Sequence, residues 1–246
     1  MFTNKLLARL RDATTVTVLT GAGISAESGV PTFRGKDGLW QNHKVEELAT
    51  IAAFQKNPQL FWQFYSWRRK ALRDVKPNLG HYALVDFERY FKDYLLVTQN
   101  VDNLHILAGS TKIVELHGNI LRDRCTKCNA ITVTAADPDS QIPTCKKCGA
   151  LVRPDVVLFG ENLNEILLRK AQHAASECEV FFSIGTSGVV EPAASLPFLS
   201  KANGAFLVEI NEEETPFSVH SNEMLRGPAG KILPQLAMVI EKIQSR

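Results

Sequence analysis

An open parallel α/β sheet with helices on both faces, plus a small inserted module, is the fold class that this 246-residue sequence predicts. Short apolar strands alternate with helical patterns along both ends of the chain. A glycine-containing turn directly follows the first of these strands. Residues 124–150 stand apart because they hold four cysteines, two prolines and few large apolar side chains.

The first elements are indicated by local patterns. The apolar positions of residues 5–11 are interrupted by Lys and Arg, which predicts an amphipathic helix rather than a secretion signal. Residues 16–20 are rich in β-branched side chains and predict the first strand. Asn57 followed by Pro58 is typical of a helix start, and this helix continues to about Leu72.

The later elements follow the same alternation of helix and strand. Residues 124–150 form the inserted module between them. Along the chain, the sequence predicts a helix over 81–91, strands over 94–98 and 113–116, an extended segment over 156–159, a helix over 165–175, buried parallel strands over 180–184 and 206–210, and a final helix over 231–243 with Pro234 in its first turn.

The overall composition is that of a soluble globular protein, with 45% hydrophobic and 22% charged residues. The net charge of +2 gives no general reason to expect nucleic-acid or membrane binding. No apolar run reaches the roughly 18 residues that a membrane span needs. We therefore expect a cytoplasmic protein.

Four of the five cysteines form two Cys-x-x-Cys pairs, Cys125 with Cys128 and Cys145 with Cys148. This spacing is typical of a closed four-cysteine zinc site, which would be structural because no coordination position stays open. Disulfides or free thiols are the alternatives. The lysines at 127, 146 and 147 could indicate a nucleic-acid ribbon, or could simply keep a small module soluble.

Two glycine-rich segments are candidates for holding a nucleotide. Gly21 and Gly23 follow the first strand, where glycine permits close approach of the backbone to a phosphate. The spacing departs from G-x-G-x-x-G, because position 26 is alanine, so a plain turn explains these glycines equally well. Residues 29–35 suit a mobile lid over a nucleotide, or alternatively an ordinary surface loop.

Polar residues follow two of the middle strands. Gln99, Asn100 and Asp102 come after residue 98, where ligands of parallel sheets bind, although Asp102 could simply cap the next helix. His117 follows residue 116 and can act as a base near neutral pH, or can be a structural histidine at a strand end.

Tyr65 and Arg68 are three residues apart and share one face of the predicted helix. Such a pair can hold a carboxylate, because Arg offers two hydrogen bonds and Tyr a third. An ordinary amphipathic helix with a solvated Arg explains the same pattern.

Taken together, these motifs resemble the sirtuins, the NAD-dependent protein lysine deacylases. The resemblance covers nearly the whole chain. It is carried by GAGIS at 21–25, GVPTFR at 29–34, QNVD at 99–102, HGN at 117–119, the four cysteines, VVLFGE at 156–161 and GTS at 185–187.

The resemblance implies a Rossmann-like domain made of residues 1–34, 92–123 and 151–246. Residues 35–91 would form the helical part of a small domain with the cofactor loop, and 124–150 its zinc module. NAD and an acyl-lysine peptide would meet in the cleft between the two domains.

The resemblance also assigns roles by position. Gly21, Ala22, Gly23, Gly185, Thr186 and Ser187 would hold the phosphates and ribose of NAD, Asn211 and Ala229 its adenosine, and Gln99, Asn100 and Asp102 the nicotinamide end. Thr32, Phe33 and Arg34 would belong to the cofactor loop. Val157, Phe159, Gly160 and Glu161 would form an edge with which the substrate peptide pairs as a strand.

In the implied reaction, the acyl oxygen attacks the ribose carbon as nicotinamide leaves, and His117 then removes a proton from a ribose hydroxyl. Tyr65 and Arg68 match the sirtuin subgroup that removes succinyl and malonyl groups, so we expect desuccinylation with some deacetylation. Asn103 and Ile106 depart from the usual family pattern beside the nicotinamide pocket. The alternatives are a protein mono-ADP-ribosyltransferase and a non-catalytic NAD-binding module.

Overall fold

The computed structural model of the protein describes residues 2–31, 48–133 and 142–244. Within these ranges the strands are β1 (Thr15–Thr20), β2 (Asp93–Thr98), β3 (Ile113–Glu115), β4 (Gly118–Cys125), β5 (Ile131–Val133), β6 (Val152–Val156), β7 (Val180–Ile184), β8 (Phe206–Asn211) and β9 (Glu223–Arg226).

Helices occupy most of the described chain between these strands. They are α1 (Asn4–Asp12), α2 (Gly23–Ala26), α3 (Ile51–Lys56), α4 (Pro58–Leu72), α5 (Leu79–Tyr90), α6 (Leu104–Ala108), α7 (Glu165–Glu177), α8 (Leu196–Ala202) and α9 (Ala229–Gln244). Two short 3₁₀ helices lie at Ala193–Ser195 and Ser218–His220.

Six parallel strands of the described chain form one sheet in the order β3-β2-β1-β7-β8-β9. Successive side chains of each strand enter cores on opposite faces, so Val18 packs with α1, α5 and α9, whereas Leu19 packs with α7 and α8. The predicted parallel sheet with helices on both faces is confirmed.

A second, smaller sheet flanks the predicted module of residues 124–150, because β6 and most of β4 lie in segments that the sequence analysis assigns to the large domain. It is antiparallel, in the order β5-β4-β6, with a register shift between Asn119 and Asp123. Its core includes Cys125 and Cys145 and is completed by the aromatic face of α4, including Phe61 and Trp62. The buried Arg69 of α4 pairs with Asp123 of β4 at 2.6 Å, which fixes this helix against the small sheet.

Two helix boundaries test the local predictions. The helix at Pro58–Leu72 agrees with the prediction, and the Asn57 side chain accepts a hydrogen bond from Leu60 N as an N-cap. The last helix begins at Ala229, two residues before the predicted start, so Pro234 lies beyond the first turn.

Helix α5 packs on α9, and its side chains Ala83, Leu84 and Phe87 belong to a core of the large sheet. The sequence analysis assigns residues 35–91 to the small domain. From these contacts we propose that α5 belongs to the large domain and α4 to the small one.

None of the helices in the described ranges combines the length and the apolar character that crossing a membrane requires.

Candidate active site

Two glycine loops touch at the carboxyl edge of the large sheet. Gly21 N donates to Ile184 O at 3.0 Å, and Gly23 N donates to Gly185 O at 2.8 Å. A Cβ on Gly23 would lie 2.7 Å from Gly185 Cα, and Gly185 itself has a φ of +58°. These glycines are therefore required for the contact between the loops, whatever ligand the loops hold.

The predicted cofactor residues at the carboxyl ends of β2, β7 and β8 are joined by hydrogen bonds. Gln99 Nε2 donates to Thr186 Oγ1 at 3.0 Å, and Asn211 Nδ2 donates to Thr186 O at 3.0 Å. Ser187 follows directly in the chain. The ends of three strands thus form one continuous polar edge beside the glycine loops, where ligands of parallel sheets bind.

Ala229 is the first residue of α9 rather than part of a free turn, and it is buried. The next amide, Gly230 N, donates to Glu27 Oε2 at 2.6 Å. This bond ties the start of α9 to the segment that follows the glycine loop.

Asn100 and Asp102 are buried beneath the glycine loop and share a partner, Ser25. Asn100 Nδ2 donates to Gly21 O at 3.0 Å and to Ser25 Oγ at 3.2 Å, and Ser25 Oγ donates to Asp102 Oδ2 at 2.7 Å. Asp102 Oδ1 also accepts from Leu104 N, the first amide of α6, although Asn103 and not Asp102 occupies the N-cap position. Burial raises the pKa of Asp102, while its hydrogen bonds oppose that shift.

Asn103 departs from the family pattern but adopts a φ of +70°, the left-handed conformation that glycine would take most easily. Asparagine tolerates this region better than most residues. The left-handed backbone at this position is therefore compatible with asparagine. Ile106 is 40% exposed on α6.

Ser25 and His81 are site residues that the sequence did not single out. Asn78 N donates to His81 Nδ1, so the ring proton lies on His81 Nε2, which faces Ser25 Oγ at 3.4 Å. Burial lowers the pKa of His81 to about 4, so the ring is neutral. These partners are far apart in the chain, and no local pattern links them.

His117 lies at the turn between β3 and β4. Its Nδ1 is 3.0 Å from Gln99 O, and because a carbonyl can only accept, Nδ1 carries the proton. The other nitrogen, Nε2, is therefore the basic one. Burial lowers the pKa of His117, which keeps the ring neutral near pH 7.

A pocket joins the predicted nicotinamide and acyl-binding residues. Its lining includes Ala22, Asn100, Asp102 and Arg68. Tyr65 is buried behind Arg68, whose guanidinium carbon lies 5.7 Å from the Tyr65 ring centroid. Burial lowers the pKa of Arg68 and raises that of Tyr65.

The predicted peptide edge lies beside His117. Val157 N donates to His117 O at 2.9 Å, and Phe159 N donates to Ala49 O at 2.8 Å. Glu161 accepts from Leu158 N at 2.8 Å and pairs with Arg153 at 2.6 Å, so its carboxylate supports the segment from inside. Gly160 has a φ of +87°, which turns the chain at this point.

The four paired cysteines converge. Their sulfur atoms all lie within 4.8 Å of one another, with Cys125 and Cys148 at 3.5 Å and Cys128 and Cys145 at 3.6 Å. A tetrahedral zinc site with Zn–S bonds of about 2.3 Å requires sulfurs about 3.8 Å apart. The donor set and its geometry therefore fit a closed zinc site.

The two Cys-x-x-Cys turns have the same local structure. Cys125 N donates to Ala130 O and Cys145 N to Ala150 O, and the residue after each pair, Asn129 or Gly149, has a positive φ. Hydrogen bonds from the following backbone amides lower the pKa of the Cys125 thiol.

The remaining predicted site residues, Thr32, Phe33 and Arg34, lie outside the residues that the structure describes.

Comparisons with known proteins agree on one family. A profile of the Sir2 family matches residues 21–192. NAD-dependent protein deacylase 1 of Caldanaerobacter subterraneus subsp. tengcongensis is 51% identical over 214 residues, which is 87% of this chain and 88% of that protein. NAD-dependent protein deacylase of Pyrococcus furiosus is 46% identical over 98% of this chain and 97% of its own length.

Solved structures show the same similarity. A Sir2 homologue in complex with NAD superposes with a TM-score of 0.94 at 42% identity, covering 99% of this chain and 96% of that chain. A complex of Sir2 with a p53 peptide and NAD⁺ superposes with a TM-score of 0.85 at 32% identity, covering 97% of this chain and 98% of that chain.

Proposed function

Since this chain belongs to the Sir2 family, we propose that it is an NAD-dependent protein lysine deacylase, which transfers an acyl group from lysine to ADP-ribose and releases nicotinamide. Its relatives named as deacylases align over nearly the full length of the chain. These names favour deacylation over the alternative of mono-ADP-ribosyl transfer to protein.

The observation that carries the proposal is the state of His117. The hydrogen bond to Gln99 O directs the basic Nε2 away from the backbone, and the low pKa keeps this nitrogen able to accept a proton. Gln99 is also bonded to Thr186 on the polar edge. The base is therefore fixed to the same framework that would bind the ribose.

The residues around the glycine loops fit NAD. Gly21, Ala22 and Gly23 would hold the phosphates and riboses together with Thr186 and Asn211 of the polar edge. Ala229 would lie near the adenine. Departure of nicotinamide from NAD supplies the chemistry, because it opens the ribose carbon to the acyl oxygen. Asn100 and Asp102, held by Ser25, would orient the carboxamide of the nicotinamide.

The peptide would lie along residues 157–161. Val157 is tied to His117 by a backbone hydrogen bond, so a peptide on this segment passes the base. Phe159 is 52% exposed and offers an apolar contact to the peptide. We assign Glu161 to holding this segment in shape rather than to contacting substrate, because its carboxylate is bound to Leu158 N and Arg153.

We further propose that the enzyme prefers acidic acyl groups, such as succinyl and malonyl. Arg68 lines the same pocket as Asn100 and Asp102, so its positive charge lies near the expected end of an acyl-lysine. A hydrogen bond to a charged group contributes roughly 1.5–3 kcal/mol, or about one to two decades of selectivity. This preference rests on the chemistry of Arg68 and Tyr65 in this chain.

The test measures NAD-dependent turnover by wild type and by Arg68→Met. Each enzyme is given the same peptide carrying either succinyl-lysine or acetyl-lysine. We expect wild type to prefer succinyl-lysine and the variant to lose about tenfold or more of that activity while retaining deacetylation. Arg89→Met removes an exposed arginine that pairs with Asp86 on α5, and serves as the matched control.

Nicotinamide release that requires both NAD and acyl peptide would support deacylation in general. Intact ADP-ribose attached to protein would instead support the transferase alternative. A wild-type preference for acetyl-lysine that Arg68→Met does not change would overturn the acidic-acyl proposal while leaving deacylation in place.

A further inference from the structure

His105 is a buried histidine that the proposed reaction does not use. It lies on α6 with a relative exposure of 2%, three residues after Asp102. Its Nε2 lies 3.0 Å from Thr20 Oγ1, and its Nδ1 has no hydrogen-bond partner among the described residues. Buried polar side chains are costly unless they are satisfied, so this ring calls for a physical reason.

The contacts of His105 form a directed chain of hydrogen bonds. Thr20 Oγ1 donates to Thr98 Oγ1 at 2.9 Å, so the single hydroxyl proton of Thr20 is already used. His105 Nε2 must therefore be the donor to Thr20 Oγ1. Thr98 Oγ1 in turn accepts from Asn100 N at 3.1 Å.

This chain connects His105 to the carboxyl ends of β1 and β2. Thr20 is the last residue of β1, and Thr98 is the last residue of β2. The amide that the chain finally holds belongs to Asn100, whose side chain binds both Gly21 O and Ser25 Oγ. The imidazole thus sits below the pocket and supports the backbone from which Asn100 projects.

A second contact leads from His105 to the same place. The His105 and His81 rings lie 4.7 Å apart between centroids, and His81 faces Ser25, which donates to Asp102. Asp102 also accepts a hydrogen bond from Leu104 N, the first amide of the helix that carries His105. The His105 ring is therefore connected to both Asn100 and Asp102.

We propose that His105 is a positioning residue for the nicotinamide pocket, acting through Thr20 and Thr98 to fix Asn100 and through His81 and α6 to fix Asp102. This inference rests on the proposed deacylase function, because Asn100 and Asp102 are assigned to nicotinamide there. His105 itself lies behind these residues and would not touch NAD.

The first test uses two variants that differ in one donor. His105→Gln retains an N–H group that can reach Thr20, whereas His105→Leu removes it. For each we would measure KM for NAD, KM for acyl peptide, and half-inhibition by added nicotinamide. We expect His105→Leu to raise KM for NAD and the inhibitory nicotinamide concentration at least about tenfold, because both depend on the pocket.

The same variant should leave KM for peptide within about twofold, and His105→Gln should recover most of the loss. A purely structural role would lower kcat in both variants equally, through loss of folded enzyme, with both KM values unchanged. That result, or unaltered nicotinamide inhibition in His105→Leu, would overturn the proposal.

A variant at another position keeps the proposal testable if the His105 variants do not fold. Thr98→Val is close in shape and removes the hydroxyl that accepts from Asn100 N. Thr98→Val should change nicotinamide inhibition in the same direction as His105→Leu. Unchanged inhibition would count against the proposed chain of hydrogen bonds. Tyr94→Phe removes a buried hydroxyl from the other end of β2 and should behave as wild type.

A ligand-free readout separates this proposal from the proposed function. If wild type releases no nicotinamide with any acyl peptide, the deacylase assignment fails. Nitrogen NMR of the imidazoles still reports on His105, which should be neutral with its proton on Nε2. A proton on Nδ1 would overturn the arrangement, whereas faster amide exchange at Asn100 in Thr98→Val would support it.

Discussion

At the level of single residues, the site depends on which nitrogen of each histidine holds the proton. Gln99 O fixes this for His117, and Asn78 N fixes it for His81. Neither assignment could be made from the sequence, because the partner of His117 is eighteen residues away and is a backbone atom. The sequence could nominate His117 as a base, but only the fold shows which atom is basic.

The first prediction concerns the pH dependence of turnover. The base that we propose is neutral His117, and burial lowers the pKa of this group below its usual 6.5. On an acetyl-lysine peptide, which adds no titrating acyl group, kcat/KM should therefore fall on the acid side with a midpoint below 6.5. A midpoint above 7 would contradict a neutral base, and His117→Asn should lose turnover at every pH.

The second prediction concerns stability in mild acid. His81 has a pKa of about 4 in the fold and about 6.5 when unfolded, so the unfolded chain binds a proton first as the pH falls. Stability is unaffected above the unfolded value and is lost between about pH 6.5 and 4. Protonation of His81 in the unfolded chain should lower the free energy of unfolding by about 2 kcal/mol between pH 7.5 and pH 5.

Denaturant unfolding at both pH values measures this loss. The loss should be smaller by about that amount in His81→Asn, because asparagine does not titrate. An equal loss in both proteins would show that His81 is charged or exposed in the folded state.

At the level of elements, local signals located some boundaries and missed others. The start of α4 follows from Asn57 and Pro58, whose effect is confined to one turn. Strand β4 was not predicted, because its sequence GNILRDRC holds three charged residues and lacks simple alternation. The strand forms because it pairs with β6, about thirty residues later in the chain. The buried charge of Asp123 is compensated by its ion pair with Arg69.

The third prediction tests the turn that places His117. Gly118 has a φ of +80°, and a Cβ there would lie 2.0 Å from Asp155 O. Gly118→Ala should therefore cost more than about 3 kcal/mol and remove activity, since both backbone strain and overlap oppose it. Gly204→Ala is the matched control, because Gly204 has a φ of +91° with nothing within 4 Å of the added Cβ.

The control should cost only the strain of the left-handed conformation, about 1–2 kcal/mol, with normal turnover per folded molecule. Thermal unfolding and the activity of the soluble fraction measure both effects. Similar losses in the two variants would mean that the approach of Gly118 to Asp155 is not required.

At the level of the whole molecule, the site is assembled from two separate cores. The large sheet supplies the glycine loops and the polar edge, whereas the small sheet and α4 supply Arg68 and the segment after β6. His117 joins them, since it bonds to Gln99 on one side and to Val157 on the other. Motif order along the chain predicted this general plan, but Ser25 with His81 depends on contacts that no spacing reveals.

The last prediction follows from the position of the cysteines within the small core. Cys125 and Cys145 are buried beside Phe61 and Val152, whereas Cys128 and Cys148 are exposed, so loss of a zinc ion would remove the link between the two Cys-x-x-Cys turns and leave two buried thiols in that core. We expect about one zinc per chain by atomic spectroscopy.

Chelation should raise amide exchange in β4, β5 and β6 while the strands of the large sheet stay protected, because only the small core contains the ligands. Turnover should fall in parallel, because His117 and the peptide segment are held by β4 and β6. Cys178→Ser, which changes the cysteine outside the cluster, should keep its zinc. Full turnover in protein stripped of zinc would show that the small sheet holds its shape without the metal.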